Sequence, residues 1–149
     1  MLVRDVMRKK VITVLFSDPF PKIVRLFIVK GISGAPVVDT KGKVVGIISE
    51  KDLFYKLFPS QKKFYKDLEY YMNYKNIEKD IPALMKFKAR DLMSKKIVSI
   101  SSDTHILKAC SMFLVHNIRR LPVIDKGKLV GIVTISRIYR NFLMSLIKK

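Results

Sequence analysis

Few residues in this 149-residue chain are of types that could do covalent or metal chemistry. His105 and His116 lie eleven positions apart, at the two ends of one helical segment. Neither has a Cys or carboxylate at ligand spacing, so no metal site is expected. His105 suits a first helical turn, and His116 a last turn, where the helix dipole favours a base. Cys110, the single cysteine, sits on an apolar stripe and reads as a small core residue rather than a nucleophile. Alone it cannot form an internal disulfide, which points to a reducing compartment. The chain has no GxxxxGK loop, no GxSxG and no paired carboxylates at a repeated position. Asp5 and Asp91 recur, but each follows an Arg and precedes an apolar pair, as helix-start caps do. Nothing in these residues supports catalysis, and the expectation is that the protein is not an enzyme. What remains are polar pairs in GIISEKD and GIVTISR: Ser49 with Asp52, and Thr134 with Arg137. Each pair is three apart where a strand meets a helix, so both side chains can point to one side of the helix start.

The elements that must position those pairs occur twice. Residues 3 to 39 align without a gap on residues 89 to 125, at an offset of 86. VRDVMRKKVITV faces ARDLMSKKIVSI, and KIVRLFIVKGISGAPVVD faces KACSMFLVHNIRRLPVID. One extra residue near Thr40 lowers the offset to 85, after which KGKVVGIIS faces KGKLVGIVT. Each copy reads as strand, helix, strand, turn, strand, helix. Val11 to Leu15 and Ile97 to Ile100 are the first strands, and Ser17 or Asp18 and Asp103 are candidate caps for the helices that follow, with Pro21 in a first turn. Ile106, Ala109, Cys110, Phe113 and Leu114 form a buried stripe at helical spacing. Gly31 and Asn117 end the two helices at aligned positions, and both residue types tolerate a left-handed backbone. Thr40 to Gly42 and Lys126 to Gly127 suit short hairpin loops. A final helix follows in each copy, longer in the second, where Ile138, Phe142, Leu143, Leu146 and Ile147 give an apolar side.

The organisation expected is therefore a first repeat over 1–58, a helical insertion or linker over 59–88, and a second repeat over 89–149. Within the insertion, Lys62 to Lys75 carries Phe64, Leu68 and Tyr71 at helical spacing, with Tyr65, Tyr70 and Tyr74 close by. Asp80 is a candidate cap for a further short helix with Pro82 in its first turn. The tyrosines either dock these helices onto their own domain or a partner subunit, or stack on single-stranded nucleic acid.

With 49% apolar residues the chain can build a core, which excludes overall disorder. The 30 Lys plus Arg against 12 Asp plus Glu give a formal net charge of +18. The excess is spread over the first repeat (11 basic, 5 acidic), the insertion (7 and 4) and the second repeat (12 and 3), with no basic tail. Such a charge favours polyanions, phosphorylated small molecules among them, or is a lysine-rich solvated surface without a partner. The run VITVLF after the basic N-terminus is too short for a signal peptide, and no run nears the roughly 18 apolar residues of a membrane span. A soluble, cytoplasmic protein with no membrane partner is expected.

The ordered pattern of RDVM, strand, helix, PVVD, KGKVVGIIS and an acid three residues beyond Ser49 resembles the cystathionine β-synthase (CBS) domain, and two in tandem resemble a stand-alone Bateman module. The resemblance covers nearly all of the chain outside 59–88. It implies an α/β (α+β) fold of two pseudo-twofold-related repeats, each a small three-stranded sheet with helices, packed as a disc. It also implies regulatory binding of an adenosine compound (AMP, ADP, ATP, S-adenosylmethionine or methylthioadenosine) in clefts between the repeats, signalled by a change in their relative arrangement. No obligatory cofactor is implied, and a homodimer and an unidentified target protein are the macromolecular partners it suggests. By the family pattern Ile12, Thr13, Ala35, Pro36 and Val37 sandwich adenine and bond its edge through backbone groups, with Val98, Leu121 and Pro122 at matching positions of the second repeat. Asp52 is then the acceptor for the ribose hydroxyls, Ser49 meets a phosphate together with helix N–H groups, and Lys51 adds a countercharge. Helix capping alone would also explain Asp52. The second repeat departs from the pattern: it keeps Thr134 but has Arg137 in place of the acid. A guanidinium has no acceptor for a diol, although it can grip a phosphate, as can Arg119 and Arg120. Unequal clefts follow, with solvated surface charge or an acidic partner the competing explanation for the three arginines. The rival function is a basic nucleic-acid-binding or scaffold protein on the same fold, for which the triplets at Arg8 to Lys10 and Ser94 to Lys96 are the supporting feature.

Overall fold

The structure is a computed structural model and describes residues 1–148. In chain order its elements are α1 (Val3–Val6), β1 (Val14–Leu15), α2 (Phe20–Lys30), β2 (Gly34–Val38), β3 (Val44–Ser49), α3 (Glu50–Phe54), α4 (Gln61–Lys66), α5 (Leu68–Met72), α6 (Tyr74–Leu84), α7 (Ala89–Leu92), α8 (Ile106–Val115), β4 (Arg120–Asp125), β5 (Lys128–Thr134) and α9 (Ile135–Ile147). They form two compact units. The first is Thr13–Lys96, and the second combines Met1–Ile12 with the chain from Ile97 onward. The N-terminal segment of each sequence repeat is thus built into the unit that holds the body of the other.

In the first unit β1 pairs parallel with β2 (Val14 with Val37), and β2 pairs antiparallel with β3, from Gly34 opposite Ser49 to Val38 opposite Val44. The β-branched residues on the inner face of this small sheet, Val14, Val37 and Ile48, are buried with Ile23 and Phe27 of α2 and with Ala89 and Leu92 of α7. In the second unit β4 and β5 pair antiparallel, and the position of β1 is taken by one parallel bridge, Ile100 with Val123. Its core joins Val3 and Val6 of α1 to Ile106, Ala109 and Phe113 of α8, Val123, Val133 and Ile138.

Several local expectations are corrected. The first strand is trimmed from Val11–Leu15 to Val14–Leu15, and Ile97 to Ile100 forms no strand beyond its bridge. Neither Ser17, Asp18 nor Asp103 caps a helix: α2 starts from Pro19 without a side-chain cap, and α8 starts from His105, whose Nδ1 accepts from the Leu107 N–H (3.3 Å). Stronger partners win the two acids. Asp18 accepts from the Leu15 N–H (2.9 Å) and from Lys22 Nζ (2.7 Å), and Asp103 pairs with Arg4 (2.6 Å). Leu114 leaves the expected stripe and is 70% exposed, while Ile106, Ala109 and Phe113 stay buried. On α9, Ile138 points into the core and Leu143, Leu146 and Ile147 face outward. The insertion is helical but breaks at Asp67 and Asn73, and α6 begins from an Asn73 cap that accepts from the Lys75 N–H (3.1 Å). Asp80 caps nothing, because its carboxylate takes the Tyr70 hydroxyl (2.8 Å), and Pro82 lies inside α6 rather than in a first turn. Gly31 (φ 60°) and Asn117 (φ 50°) do adopt the left-handed backbone that ends α2 and the α8 segment.

The borrowed segments are held in the same way in both units. In the first, the N–H groups of Ala89 and Arg90 donate to the carbonyls of Asp18 (2.9 Å) and Phe16 (3.0 Å). In the second, Val3 and Arg4 donate to Thr104 (2.8 Å) and Ser102 (3.0 Å), the equivalent residues. Two reciprocal backbone bonds follow at each place, Ile47 with Ser94 and Arg8 with Ile132. This approach requires glycine on the receiving strand. A Cβ at Gly46 would lie 2.5 Å from Met93 Sδ and 2.8 Å from the Ser94 carbonyl oxygen, and a Cβ at Gly131 would lie 2.5 Å from Met7 Sδ and 3.2 Å from the Arg8 oxygen. The methionines of RDVM and RDLM therefore rest on the glycines of VVGIIS and LVGIVT. Gly46→Ala is expected to destabilise the protein by about 1–3 kcal/mol in a denaturant titration, as overpacking does. Gly131→Ala should cost less, because a flexible methionine is nearest at both positions but the backbone oxygen lies 3.2 Å away at Gly131 against 2.8 Å at Gly46.

Candidate functional site

The first unit holds seven of the fifteen expected ligand residues, leading into β1, on β2 and at the β3–α3 junction. Thr13 leads into β1, Ala35, Pro36 and Val37 lie on β2, Ser49 ends β3, and Lys51 and Asp52 belong to α3. The β2–β3 register sets Ser49 beside Gly34 and Ala35 beside Ile48. Ala35, Pro36 and Val37 are buried on the central strand of the sheet. Lys51 is exposed and Asp52 half-buried.

Asp52 takes the capping role in the structure. Its Oδ2 accepts from the Ser49 N–H (2.7 Å) and from the Ser49 hydroxyl (3.1 Å), which caps the start of α3. Its Oδ1 has no protein partner among the described residues, so a lone-pair-bearing oxygen on a fixed carboxylate is left over. The expected phosphate role of Ser49 is weaker in this geometry. Its hydroxyl proton is committed to Asp52, and the first amide of α3, Glu50 N–H, donates to the Ser33 carbonyl (3.0 Å). Asp5 and Asp91 make the same local contact, taking the N–H of Leu2 (2.7 Å) and Lys88 (2.9 Å).

The matching junction of the second unit is organised differently. Thr134, the cap of α9, accepts through its Oγ from the Arg137 N–H (3.3 Å), and Thr134 pairs on the ladder with Arg120. The Ile135 N–H donates to the Arg119 carbonyl (3.1 Å), so Arg119 and Arg120 enter β4 alongside the start of α9. Leu121 and Pro122 are buried, Val98 packs against the core and Arg119 is exposed. The Arg137 side chain does not wait for a ligand with all its donors, because Nε donates to the Val6 carbonyl at the end of α1. Ile12 belongs to the second unit and Thr13 to the first, the division falling between them. Sequence reasoning missed the Arg137 partner, which lies 131 positions away. The only signal for it was the recurrence of RDVM and RDLM.

Burial pushes the Cys110 thiol above its ordinary value, which suits core packing and not nucleophilic attack. Among the described residues no three His, Cys, Asp or Glu side chains come together as a metal site, and no helix is long and apolar enough to cross a membrane.

The CBS domain family model matches residues 3–58 and 89–143. The chain belongs to the CBS-domain family, with the domain present in two copies. It is 34% identical over 146 residues to an uncharacterized protein of Methanocaldococcus jannaschii, covering 90% of this chain and 86% of that one. Other curated relatives are longer, and the chain spans 60% of one and 23% of another. The fold is similar to that of the CBS domain pair of protein MJ0100 in complex with 5-methylthioadenosine and S-adenosyl-L-methionine, with a TM-score of 0.72, 25% identity and coverage of 97% and 98% of the two chains. It is also similar to CBSX2 in complex with AMP, with a TM-score of 0.73, 27% identity and coverage of 96% and 97%.

Proposed function

We propose that this chain is a regulatory module that binds an adenosine compound at the junction of β3 and α3, with Asp52 accepting the ribose hydroxyls. The observation that carries the reading is the divided carboxylate: Oδ2 is anchored by Ser49, and Oδ1 is left without a protein partner among the described residues. A carboxylate held by its own helix start is pre-oriented, so little ordering cost remains when a diol arrives. The buried Ala35-Pro36-Val37 stretch offers backbone groups for the adenine edge, with Thr13 beside it. The complexes of the two similar CBS proteins with adenosine compounds support the ligand class. The signal is a ligand-dependent change in the arrangement of the repeats, which a target protein that prefers one arrangement would sense. The module's role is non-catalytic. It is cytoplasmic and a homodimer, the latter supported by the exposed Leu143, Leu146 and Ile147 on α9.

A thermal-shift and calorimetric series with AMP, ADP, ATP and S-adenosylmethionine tests the reading. One of them at about 100 times its dissociation constant should add about 2.7 kcal/mol of stability. Asp52→Ala should weaken that compound by about 10- to 150-fold, the loss of a hydrogen bond to a charged group. No response to any of the four at millimolar concentration would sink the proposal.

A second reading, a basic platform for nucleic acid, draws on the charge. With 30 Lys and Arg against 12 acids, at most 12 of the cations could pair one to one with an acidic side chain. In the insertion, Phe64 stacks on Tyr71 (ring centroids 5.4 Å apart) and Tyr70 bonds Asp80, so those rings are used internally, whereas Tyr65 and Tyr74 are exposed. Polarisation assays with single-stranded RNA should then give an affinity that falls steeply between about 50 and 200 mM salt. Absence of binding at the lower salt removes this reading.

A further inference from the structure

The helices between the two stretches that match the CBS domain are rooted on one side and uncovered on the other. Leu84 of α6 is buried, and Phe87 packs on the core of the first unit, where its carbonyl accepts from the Phe20 N–H (2.9 Å). The Tyr70 hydroxyl of α5 donates to Asp80 of α6 (2.8 Å) and Asn76 Nδ2 donates to the Tyr70 carbonyl (3.2 Å), so the two helices form one fixed hairpin. Its outer side is apolar. Tyr74, Ile81 and Met85 are spaced by seven and four residues, which places them on one face, and they are 65%, 41% and 54% exposed. Met85 follows α6 but keeps helical dihedrals (φ −62°, ψ −18°). Leu68 and Met72, four apart on α5, are exposed as well. Along the adjacent flank of α6 run Lys75 and Lys79, with Lys86 seven residues further on; all three are exposed and none has an ion pair among the described residues.

We infer that this face of α5 and α6 is a docking surface for an acidic amphipathic helix of a partner protein, whose apolar stripe covers Tyr74, Ile81 and Met85 and whose flanking carboxylates meet Lys75, Lys79 and Lys86. Charge and side-chain type select that occupant. A nucleic-acid strand would use the lysines and the Tyr74 ring, but it leaves Leu68, Met72, Ile81 and Met85 without a partner. An anionic lipid surface would cover the aliphatic residues, but it presses uniform negative charge on Asp67, Glu69 and Glu78, which are exposed. Glu78, four residues after Tyr74, stands on the apolar side itself. A peptide can place its own charges one by one around that acid, and a membrane cannot. A second copy of the hairpin would set lysine against lysine, and the exposed apolar side of α9 (Leu143, Leu146, Ile147) is accompanied by Arg137, Arg140 and Lys148, with no acid in the chain after Asp125. Cation would again face cation. Exposed methionines also suit a helix-binding face, because the unbranched thioether adapts to the side chains laid against it. None of the residues assigned to the adenosine compound lies on α5 or α6, so the docking surface stands or falls apart from Asp52.

The probe is a synthetic amphipathic helix of about 18 residues with a leucine stripe flanked by glutamates, labelled for polarisation and titrated with the full chain. A second peptide carries lysines in place of the glutamates. The glutamate peptide should bind about tenfold or more tighter than the lysine peptide, and its affinity should fall as salt rises. Ile81→Ser combined with Met85→Ser should weaken it about tenfold or more, whereas Leu143→Ser on α9 should leave it unchanged. Lys75→Glu combined with Lys79→Glu should reverse the preference in favour of the lysine peptide. These positions are exposed, so the substitutions leave the buried core untouched. In the wild type, amide hydrogen exchange with the glutamate peptide bound should slow between residues 74 and 86 and not along α9. Equal affinity for the two peptides, a preference unmoved by the charge reversal, or protection on α9 in place of α6 overturns the docking surface, as does no binding of the glutamate peptide at about 100 μM. Tighter binding of single-stranded RNA or of phosphatidylglycerol vesicles than of the peptide, lost in the Ile81→Ser, Met85→Ser variant, overturns it in favour of that partner.

Discussion

The structure depends on a close approach of backbones that only glycine permits. At Gly46 and Gly131 the receiving strand has no Cβ, and a methionine followed by a backbone oxygen fills the space. That contact seats α7 in the first unit and α1 in the second, where Ala89 and Leu92, or Val3 and Val6, complete the core. Each unit buries its small sheet with help from the N-terminal segment of the other sequence repeat. A two- or three-stranded sheet of this size has too little apolar area to stand alone, and the borrowed helix supplies what is missing.

The same junction positions the candidate site. Residues immediately after the glycine, Ile47 and Ile132, make the reciprocal backbone bonds with the borrowed segment. Two residues further on, Ser49 and Thr134 end their strands and start α3 and α9. The polar pair of interest thus begins two residues beyond the seam. In the first unit the pair is an acid and its capping serine. In the second it is a threonine and an arginine that reaches back across the seam to Val6. Both units share one scaffold, and at this junction Asp52 in one stands against Arg137 in the other.

Much of this was legible in the residues. The repeat, the left-handed helix ends at Gly31 and Asn117 and the placement of Ser49 and Asp52 at a helix start follow from local patterns with local physical causes. Reading failed where distant partners compete for the same group. Asp18 and Asp103 look like caps in isolation, but Lys22 with the Leu15 amide, and Arg4, are better partners. Asp80 was lost to Tyr70 in the same way. Nor could the pattern say which glycine each methionine meets, because RDVM and RDLM are nearly identical and either would fit Gly46 or Gly131. The Arg137–Val6 contact is hidden for that reason as well, since it exists only once α1 is assigned to the second unit.

The central claim is that Asp52 is the ribose acceptor of an adenosine-binding module. A crystal structure of the full chain grown with AMP or S-adenosylmethionine tests it most directly. The account predicts ribose hydroxyls within hydrogen-bond distance of Asp52 Oδ1, Oδ2 still on Ser49, and Arg137 still on Val6. A bound ribose that avoids Asp52, or sits against Arg137, would contradict it.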